Sequence, residues 1–371
     1  MTSRPARLTA CLGVAVALSA PAIAAPAAAA DSTYGPADFA RVRKFDAHVH
    51  FNRAGQAAMD IARQDNFELL SINVDYPDFP PIDEQYRLAQ QFRKTWPRRF
   101  HFAATFSMAG WGQAGWAQAV NARLAHQVAS GAVAVKIWKN VGLTQRDAKG
   151  ALVMLDDPGF DPVAAEIQAL GVPLIDHQGE PKNCWLPMDQ ITTTDDREYF
   201  TEHPQYYMYA HPEMPSYETL MAVRDRFVER HPQLSFVGAH MASLEWSVDE
   251  LSKFLDAHPN AVVDLAQRLP HVERQSALDY NKVRAFFLRY SDRLLYATDL
   301  TLQPTDDPAS FARDADQVWR SDWTYLATAQ SQHIASIDRD AVGLNLPRAV
   351  IDRIYWGNAH RVFTRLAHQG G

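Results

Sequence analysis

Short apolar runs alternate along the chain with longer segments in which apolar residues recur every three or four positions. The short runs are rich in β-branched residues, and several are apolar at consecutive positions, as strands covered on both faces are. Eight runs are predicted to be strands: 44–50, 67–75, 100–107, 131–138, 172–177, 234–240, 260–266 and 293–299. Helical spacing is clearest at 116–130, 217–231, 247–258 and 280–290.

This repeated alternation of strand and helix predicts an α/β fold, a distorted (β/α)8 barrel of the TIM type. A doubly wound open sheet is the competing arrangement, but it predicts a glycine-rich turn after the first strand, which the sequence lacks. The connections 178–216 and 300–346, after strands 5 and 8, are long. We expect both to lie at the C-terminal face of the barrel, where such folds build active sites.

The first 30 residues differ from the rest of the chain. Arg4 and Arg7 precede an apolar stretch, and small residues follow it, which is the layout of a secretory signal peptide cleaved near Ala30. The apolar stretch is too short for a membrane span. We therefore expect a periplasmic or secreted protein with a single domain over residues 31–371. That part has one cysteine, Cys184, so its stability must come from a hydrophobic core.

Composition and charge narrow the classes of partner. The chain of 371 residues has a formal net charge of -7, and 47% of its residues are hydrophobic. No basic patch or run is present, which argues against nucleic acid as a partner. We expect a small-molecule substrate and no membrane span. A homo-oligomer is possible on this composition.

Ionisable residues stand at the C-terminal ends of the predicted strands. Residues two apart on a strand share a face, so the two histidines of strand 1 point the same way. Buried imidazole and charged groups are costly unless they are paired or bind a metal, and nitrogen and oxygen ligands suit a divalent cation. One strand-end histidine is weak support in a chain with fourteen, and the prediction rests on the whole set: His48, His50, Lys136, His177, His240 and Asp299.

The motifs "DAHVH", "DHQG", "GAH" and "YATD", in this order, resemble those of the amidohydrolase superfamily. With "YWGNAHRVF" near the end, the chain is similar to the branch that includes aminocarboxymuconate-semialdehyde decarboxylase, over about residues 44 to 365. The resemblance implies a distorted barrel with one or two divalent metals, commonly zinc. It also implies that His48, His50, His177 and Asp299 are metal ligands. His240 would bind a second metal or donate a hydrogen bond to the substrate.

Lys136 has three interpretations. In some members of the superfamily a strand-4 lysine carries CO2 and bridges two metals, and "VKIW" is similar to those lysine contexts. At a one-metal site the lysine would instead lie near the substrate, and a structural ion pair with Asp299 or another acid is the third interpretation. Lys139, three residues on, is interpreted as a loop residue.

These residues predict a metal-dependent hydrolase that directs a metal-activated water at a lactone, ester or amide carbonyl. Asp299 would accept the proton of the water, and His240 would stabilise the oxyanion. The alternative reaction is non-oxidative decarboxylation of an aromatic or unsaturated carboxylic acid. A third hypothesis is a barrel that binds its ligand without catalysis.

Substrate contacts are expected in the loops after strands 5 and 7. Lys182, Asn183 and Trp185 follow His177 directly, and Arg268 follows strand 7. Loop packing explains Trp185 equally well. Asp264 is a candidate to support the metal ligands from behind, and Asn358 is expected to tie the last helix to the barrel.

Overall fold

A computed structural model of the chain describes residues 1–2 and 32–368. Most of the predicted signal peptide therefore lies outside the described residues, and its cleavage near Ala30 stays a prediction. Within the described residues, one parallel sheet contains nine strands. They are β1 (Lys44–Phe51), β2 (Phe67–Ile72), β3 (Phe100–Thr105), β4 (Ala134–Ile137), β5 (Leu174–Asp176), β6 (Phe236–Gly238), β7 (Ala261–Asp264), β8 (Leu294–Leu295) and β9 (Leu300–Leu302).

The sheet closes into a barrel because the predicted eighth strand is continued by a second short strand, and each of the two pairs with a different neighbour. β8 pairs with β7, and β9, a few residues later, pairs with β1. Between them the amide of Ala47 donates a hydrogen bond of 2.9 Å to the carbonyl of Tyr296. The eight predicted strands and the distorted (β/α)8 barrel are confirmed, and β9 is an addition that the sequence pattern did not predict.

Helices cover the outside of the barrel, and the four predicted from helical spacing are confirmed. They are α1 (Gln56–Gln64), α2 (Ile82–Thr95), α3 (Trp116–Ala129), α4 (Asn140–Leu143), α5 (Asp161–Ala169), α6 (Thr194–Glu202), α7 (Tyr217–Arg230), α8 (Ala239–Ala242), α9 (Val248–Ala257), α10 (Leu269–Leu278), α11 (Tyr280–Arg289), α12 (Pro308–Ala327), α13 (Arg348–Asp352) and α14 (Asn358–Val362). None of the helices in the described part of the chain has the length and apolar character to cross a membrane.

Alternation along the strands divides the core into two layers. One face of each strand packs against the helices, as Phe67, Leu174 and Phe236 do. The other face fills the barrel interior, which we call the interior cluster: Phe45, Ala47, Leu70, Ile72, Ala103, Ala134, Ile175, Val237, Val262, Leu295 and Ala297, with Val362, Phe363 and Leu366 of the C-terminal segment. Asn358 ties this segment to the barrel, since its Nδ2 donates to the carbonyls of Ser291 and Leu294, both at 2.8 Å.

The two long connections contain elements of their own. Residues 178–216 include α6 and pack Tyr199 and Tyr206 against the interior cluster, so we call this connection the lid. Residues 300–346 include β9, α12 and an antiparallel hairpin of β10 (Ser331–Ile334) and β11 (Arg339–Val342). The hairpin supports the lid, because Thr194 of α6 donates to the carbonyl of Ser336 at 3.3 Å.

Candidate metal centre

The polar residues predicted at the strand ends come together at the C-terminal mouth of the barrel. His48 and His50 lie in β1, and Lys136 lies in β4. His177 directly follows β5, His240 lies two residues after β6, and Asp299 lies between β8 and β9. All are buried except Asp299, whose side chain is 20% exposed. The strand ends thus assemble one partly open site from five separate segments.

Asp299 lies between the two imidazoles of β1. Its Oδ1 is 3.1 Å from Nε2 of His50 and 3.3 Å from Nε2 of His48. Its amide also donates to the carbonyl of His48 at 2.7 Å, which holds the carboxylate beside β1. Burial raises the pKa of Asp299, but His48, His240 and His50 outweigh this, so the pKa is lower than that of an ordinary aspartate.

The Nδ1 atoms of three imidazoles face hydrogen-bond acceptors. Nδ1 of His48 is 2.9 Å from Oδ2 of Asp264, and Nδ1 of His50 is 2.7 Å from the carbonyl of Ile72. Nδ1 of His240 is 3.0 Å from the carbonyl of Ala266. These partners assign the proton to Nδ1 and leave a lone pair on each Nε2, the arrangement that partners of metal-binding histidines impose.

These donor atoms fit a divalent cation. With protons on Nδ1, the Nε2 atoms of His48 and His50 and the Oδ1 of Asp299 are all acceptors, and such close acceptors repel unless a cation lies among them. His48, His240 and Asp299 offer ligand atoms within 4.8 Å of one another. The buried Nε2 of His177 has no hydrogen-bond partner among the described residues, and its ring lies 4.3 Å from that of His240. Imidazole and carboxylate donors suit zinc.

Burial keeps His48, His177 and His240 neutral, as metal ligands must be. It is the largest cause that lowers the pKa of His48 and His177, and it lowers the pKa of His240 to about 3. Asp264 is different. Burial raises its pKa, but the larger opposite effect of His48 and His240 makes the pKa lower than that of an ordinary aspartate. This carboxylate is therefore ionised behind the histidines.

Left-handed backbone conformations occur at the ends of three strands. His240 has a φ of 56°, and the next three residues have similar values. Gln267 (φ 56°) follows β7, and Asp299 (φ 65°) follows β8. Such conformations cost a non-glycine residue about 1 kcal/mol or more, and strained residues of this kind concentrate at functional sites.

Lys136 points into the same space without a partner. Its Nζ is fully buried and has no hydrogen-bond acceptor among the described residues. Burial lowers the pKa of Lys136 to about 8, while the charges of Asp264, Asp299 and Asp176 oppose that change. The geometry therefore gives no support to a close structural ion pair between Lys136 and Asp299.

Of the four predicted substrate contacts, Arg268 is the one that acts on this centre. Its guanidinium lowers the pKa of both His177 and His240, and its buried Nε has no partner among the described residues. Its Nη1 lies 3.9 Å from the Asp196 carboxylate of the lid. One part of the guanidinium is thus loosely held and another part is free.

The other three predicted contacts are engaged within the lid and its surroundings. Nζ of Lys182 lies 3.9 Å from the centroid of a Trp246 ring, and Nδ2 of Asn183 donates to Asp196 at 2.8 Å. Nε1 of Trp185 donates to the carbonyl of Pro215 at 3.2 Å. These contacts favour structural roles over substrate binding.

Aromatic rings continue outward from the mouth beside His50. The ring of Phe79 lies 5.1 Å from His50, and successive rings continue from it at 4.5–6.5 Å. We call Phe79, Tyr76, Trp138, Tyr206 and Tyr199 the aromatic rim. Sequence reasoning missed it because its members come from three separate loops.

A scan against protein-family models matches residues 45–365 to the amidohydrolase family. The chain belongs to the amidohydrolase family. The resemblance inferred from its motifs is therefore confirmed. No curated protein matches the chain.

Solved structures share the fold at low sequence identity. A 2,6-dihydroxybenzoate decarboxylase from Rhizobium is 14% identical with a TM-score of 0.51, over 87% of this chain and 99% of that one. A probable 2-pyrone-4,6-dicarboxylic acid hydrolase from Acinetobacter baumannii, with citric acid bound, is 10% identical with a TM-score of 0.50, at the same coverage. A 5-carboxyvanillate decarboxylase from Sphingomonas paucimobilis is 19% identical with a TM-score of 0.43, over 83% of this chain and 81% of that one. The first two structures therefore show that this amidohydrolase shares its fold with proteins named for different reactions.

Proposed function

We propose that this amidohydrolase is a metal-dependent hydrolase that cleaves a C–O or C–N bond in a lactone, ester or amide that also bears a carboxylate. The observation that carries the proposal is the group of buried imidazoles around Asp299, three of them with Nδ1 held by an acceptor. His48, His50, His177 and Asp299 would hold one divalent cation, most simply zinc, with His240 beside them. Such a cation polarises a carbonyl and lowers the pKa of a water molecule bound to it.

Asp299 would act as the general base. Its lowered pKa keeps the carboxylate ionised at neutral pH. Its position beside His48 and His50 puts it within reach of a water that attacks at the centre. A carboxylate that binds through one oxygen keeps a second oxygen free to accept that proton and pass it to the leaving group.

Unpartnered donor atoms on two cationic side chains support a substrate that carries a carboxylate. The Nζ of Lys136 and the Nε of Arg268 are buried without acceptors among the described residues. Leaving buried charged donors unpaired costs free energy, and an anionic group on the substrate would remove that cost. Both side chains come from the strands around the centre, Lys136 from β4 and Arg268 from the connection after β7.

Decarboxylation of an aromatic or unsaturated acid is the second candidate. The same two cations support it, because there the carboxylate is the reacting group. The aromatic rim also favours a planar ring beside His50. The likeness to a 2,6-dihydroxybenzoate decarboxylase concerns the fold alone and leaves the reaction to experiment.

One assay separates these functions. Zinc-loaded protein is given 2-pyrone-4,6-dicarboxylate, simple lactones, esters and amides, and 2,6-dihydroxybenzoate at neutral pH. Acid release without CO2 supports hydrolysis, and CO2 release supports the second candidate. Asp299→Asn with bound zinc should lose at least about a hundredfold in rate. Full activity in that variant would refute the base, and no turnover with any metal would leave a binding protein.

We also propose that the mature protein is periplasmic or secreted. The support is the pattern of Arg4, Arg7 and the apolar segment before Ala30. N-terminal sequencing of the protein from a periplasmic fraction should find a start near Asp31, and an intact Met1 in the cytoplasm would refute the proposal.

A further inference from the structure

The lid carries a hydroxyl group at the barrel mouth that the preceding proposal does not use. Tyr199 lies on α6 and packs against the interior cluster at the barrel mouth. Its ring is nearly parallel to that of Tyr206, the next lid tyrosine of the aromatic rim. The lid thus closes the mouth with two phenol rings.

Lys139 holds the hydroxyl group of Tyr199 by a hydrogen bond. This residue lies two positions after β4 and is buried, with 4% of its surface exposed. Its Nζ donates to Oε1 of Glu180 and, at 2.8 Å, to the hydroxyl oxygen of Tyr199. The ammonium also lies 4.5 Å from the centroid of the Tyr206 ring. A charged, buried pair therefore positions one side of the lid.

The direction of the hydrogen bond determines what the Tyr199 hydroxyl can do. An ammonium group only donates, so the phenol oxygen is the acceptor and its own proton must find another partner. Among residues 32–368, no group accepts a hydrogen bond from that hydroxyl. Burial, followed by the charge of Glu180, raises the pKa of Tyr199 well above that of an ordinary tyrosine, so the proton stays in place.

The lid places this hydroxyl at the same end of the barrel as the metal centre. Its partner Lys139 lies two residues after β4, and Glu180 lies four residues after β5. One turn before Tyr199 on α6, the carboxylate of Asp196 lies 3.9 Å from Nη1 of Arg268, whose Nε has no partner among the described residues. The helix that carries the phenol therefore also contacts Arg268.

We propose that Tyr199 is a catalytic residue whose hydroxyl donates a hydrogen bond to the substrate carbonyl oxygen, and that Lys139 and Glu180 are positioning residues for it. The inference rests on the proposed function, since that oxygen gains negative charge when water attacks the carbonyl. The proton remains on Tyr199 throughout, so no further reactant is needed.

Comparison of two lid tyrosines tests the inference. Tyr199→Phe removes the free donor, whereas Tyr207→Phe removes a hydroxyl that donates to the carbonyl of Leu186 at 2.8 Å. With equal zinc content and folding, Tyr199→Phe should lower kcat about 10²- to 10³-fold with little change in KM. Tyr207→Phe should stay within about twofold of the wild type. Equal kcat in the two variants would overturn the role of Tyr199.

A double-mutant cycle tests the positioning residues. Lys139→Met with Glu180→Gln removes the buried pair without leaving one charge alone. We expect a loss of at least about tenfold in kcat, and almost no further loss when Tyr199→Phe is added, because both changes act on one hydroxyl. Losses that multiply would show that the pair supports the lid independently of Tyr199.

Benzoate binding separates failure of this inference from failure of the proposed function. Calorimetric titration of the zinc-loaded protein should give about tenfold weaker binding in Tyr199→Phe than in Tyr207→Phe, as for a hydrogen bond to a charged group. If no candidate substrate reacts but this difference is found, only the proposed hydrolysis fails. If the protein neither reacts nor binds benzoate, both are rejected.

Discussion

His48 and Asp264 are joined by a buried contact of 2.9 Å between Nδ1 and Oδ2. The other oxygen of Asp264 accepts hydrogen bonds from the amides of His240, at 2.7 Å, and Ala266, at 3.2 Å. One carboxylate at the end of β7 therefore orients histidines that come from β1 and β6. The candidate metal centre thus depends on a residue that is not among its proposed ligands.

Asp264→Asn should weaken zinc binding about 10- to 100-fold, the usual effect of losing a partner behind a metal-bound histidine. Asparagine has one acceptor oxygen, so it leaves one of the donors without an acceptor. Competition with a chelating dye measures the dissociation constant. Asp65→Asn changes another fully buried aspartate, which pairs with Arg320 outside the site at 3.0 Å, and serves as the control. Equal affinities in the two variants would contradict the prediction.

Removal of the metal should lower the thermal stability of the protein. Without a cation, the Nε2 atoms of His48 and His50 face the Oδ1 of Asp299 at 3.1–3.3 Å as mutually repelling acceptors. Zinc at a hundred times its dissociation constant adds about 2.7 kcal/mol to the free energy of unfolding. Circular dichroism melts before and after chelation measure the difference, and added zinc should restore it. An unchanged melting temperature would contradict the proposed ligand set.

Arg268→Gln should raise KM for a carboxylate-bearing substrate about 10- to 100-fold, because a charge-assisted hydrogen bond contributes roughly 1.5–3 kcal/mol. Lys182→Met, by contrast, should change KM less than about twofold, since that ammonium lies over Trp246 with 32% of the side chain exposed. Steady-state kinetics on both variants compare the two predicted contacts. A larger increase in KM for the Lys182 variant would show that Lys182 of the lid, and not Arg268, binds the substrate carboxylate.

Glu273→Gln should stabilise the protein increasingly as the pH rises. Burial, with the charge of Asp322, raises the pKa of Glu273 from 4.5 to about 8. The folded state therefore holds this proton more tightly than the unfolded state, and stability is lost between those two pH values. The difference in unfolding free energy should grow by a few kcal/mol from pH 5 to pH 8.5 in denaturant titrations. Glu84→Gln, at an exposed position, is the control, and a difference independent of pH would refute the prediction.

The strands and the convergence of the candidate metal ligands were predictable because alternation along a strand determines which side chains face inward. His48, His50, His177 and Asp299 stand at the ends of strands that meet at one mouth, so convergence follows from the barrel itself. The division of the eighth strand was not predictable, since the pairing of Leu300–Leu302 with β1 depends on how the barrel closes.

The lid was harder to predict because an irregular segment has no period that orients its side chains. Asn183 follows His177 closely, yet it turns away to bind Asp196. Lys139 does lie beyond the strand, as expected, but it is buried against Glu180 and Tyr199, which belong to the lid. Such contacts join residues far apart in the sequence, so no local sequence pattern predicts them.

The backbone contact between Asp299 and His48 has a consequence for assembly. It lies where the last strands of the barrel meet the first, so the two ends of the sheet supply neighbouring candidate ligands. A growing polypeptide that lacks residues after β7 contains both β1 imidazoles but no carboxylate to complete the group. Metal uptake should thus come after synthesis of the whole barrel. The bound ion would then stabilise the pairing between the last and first strands.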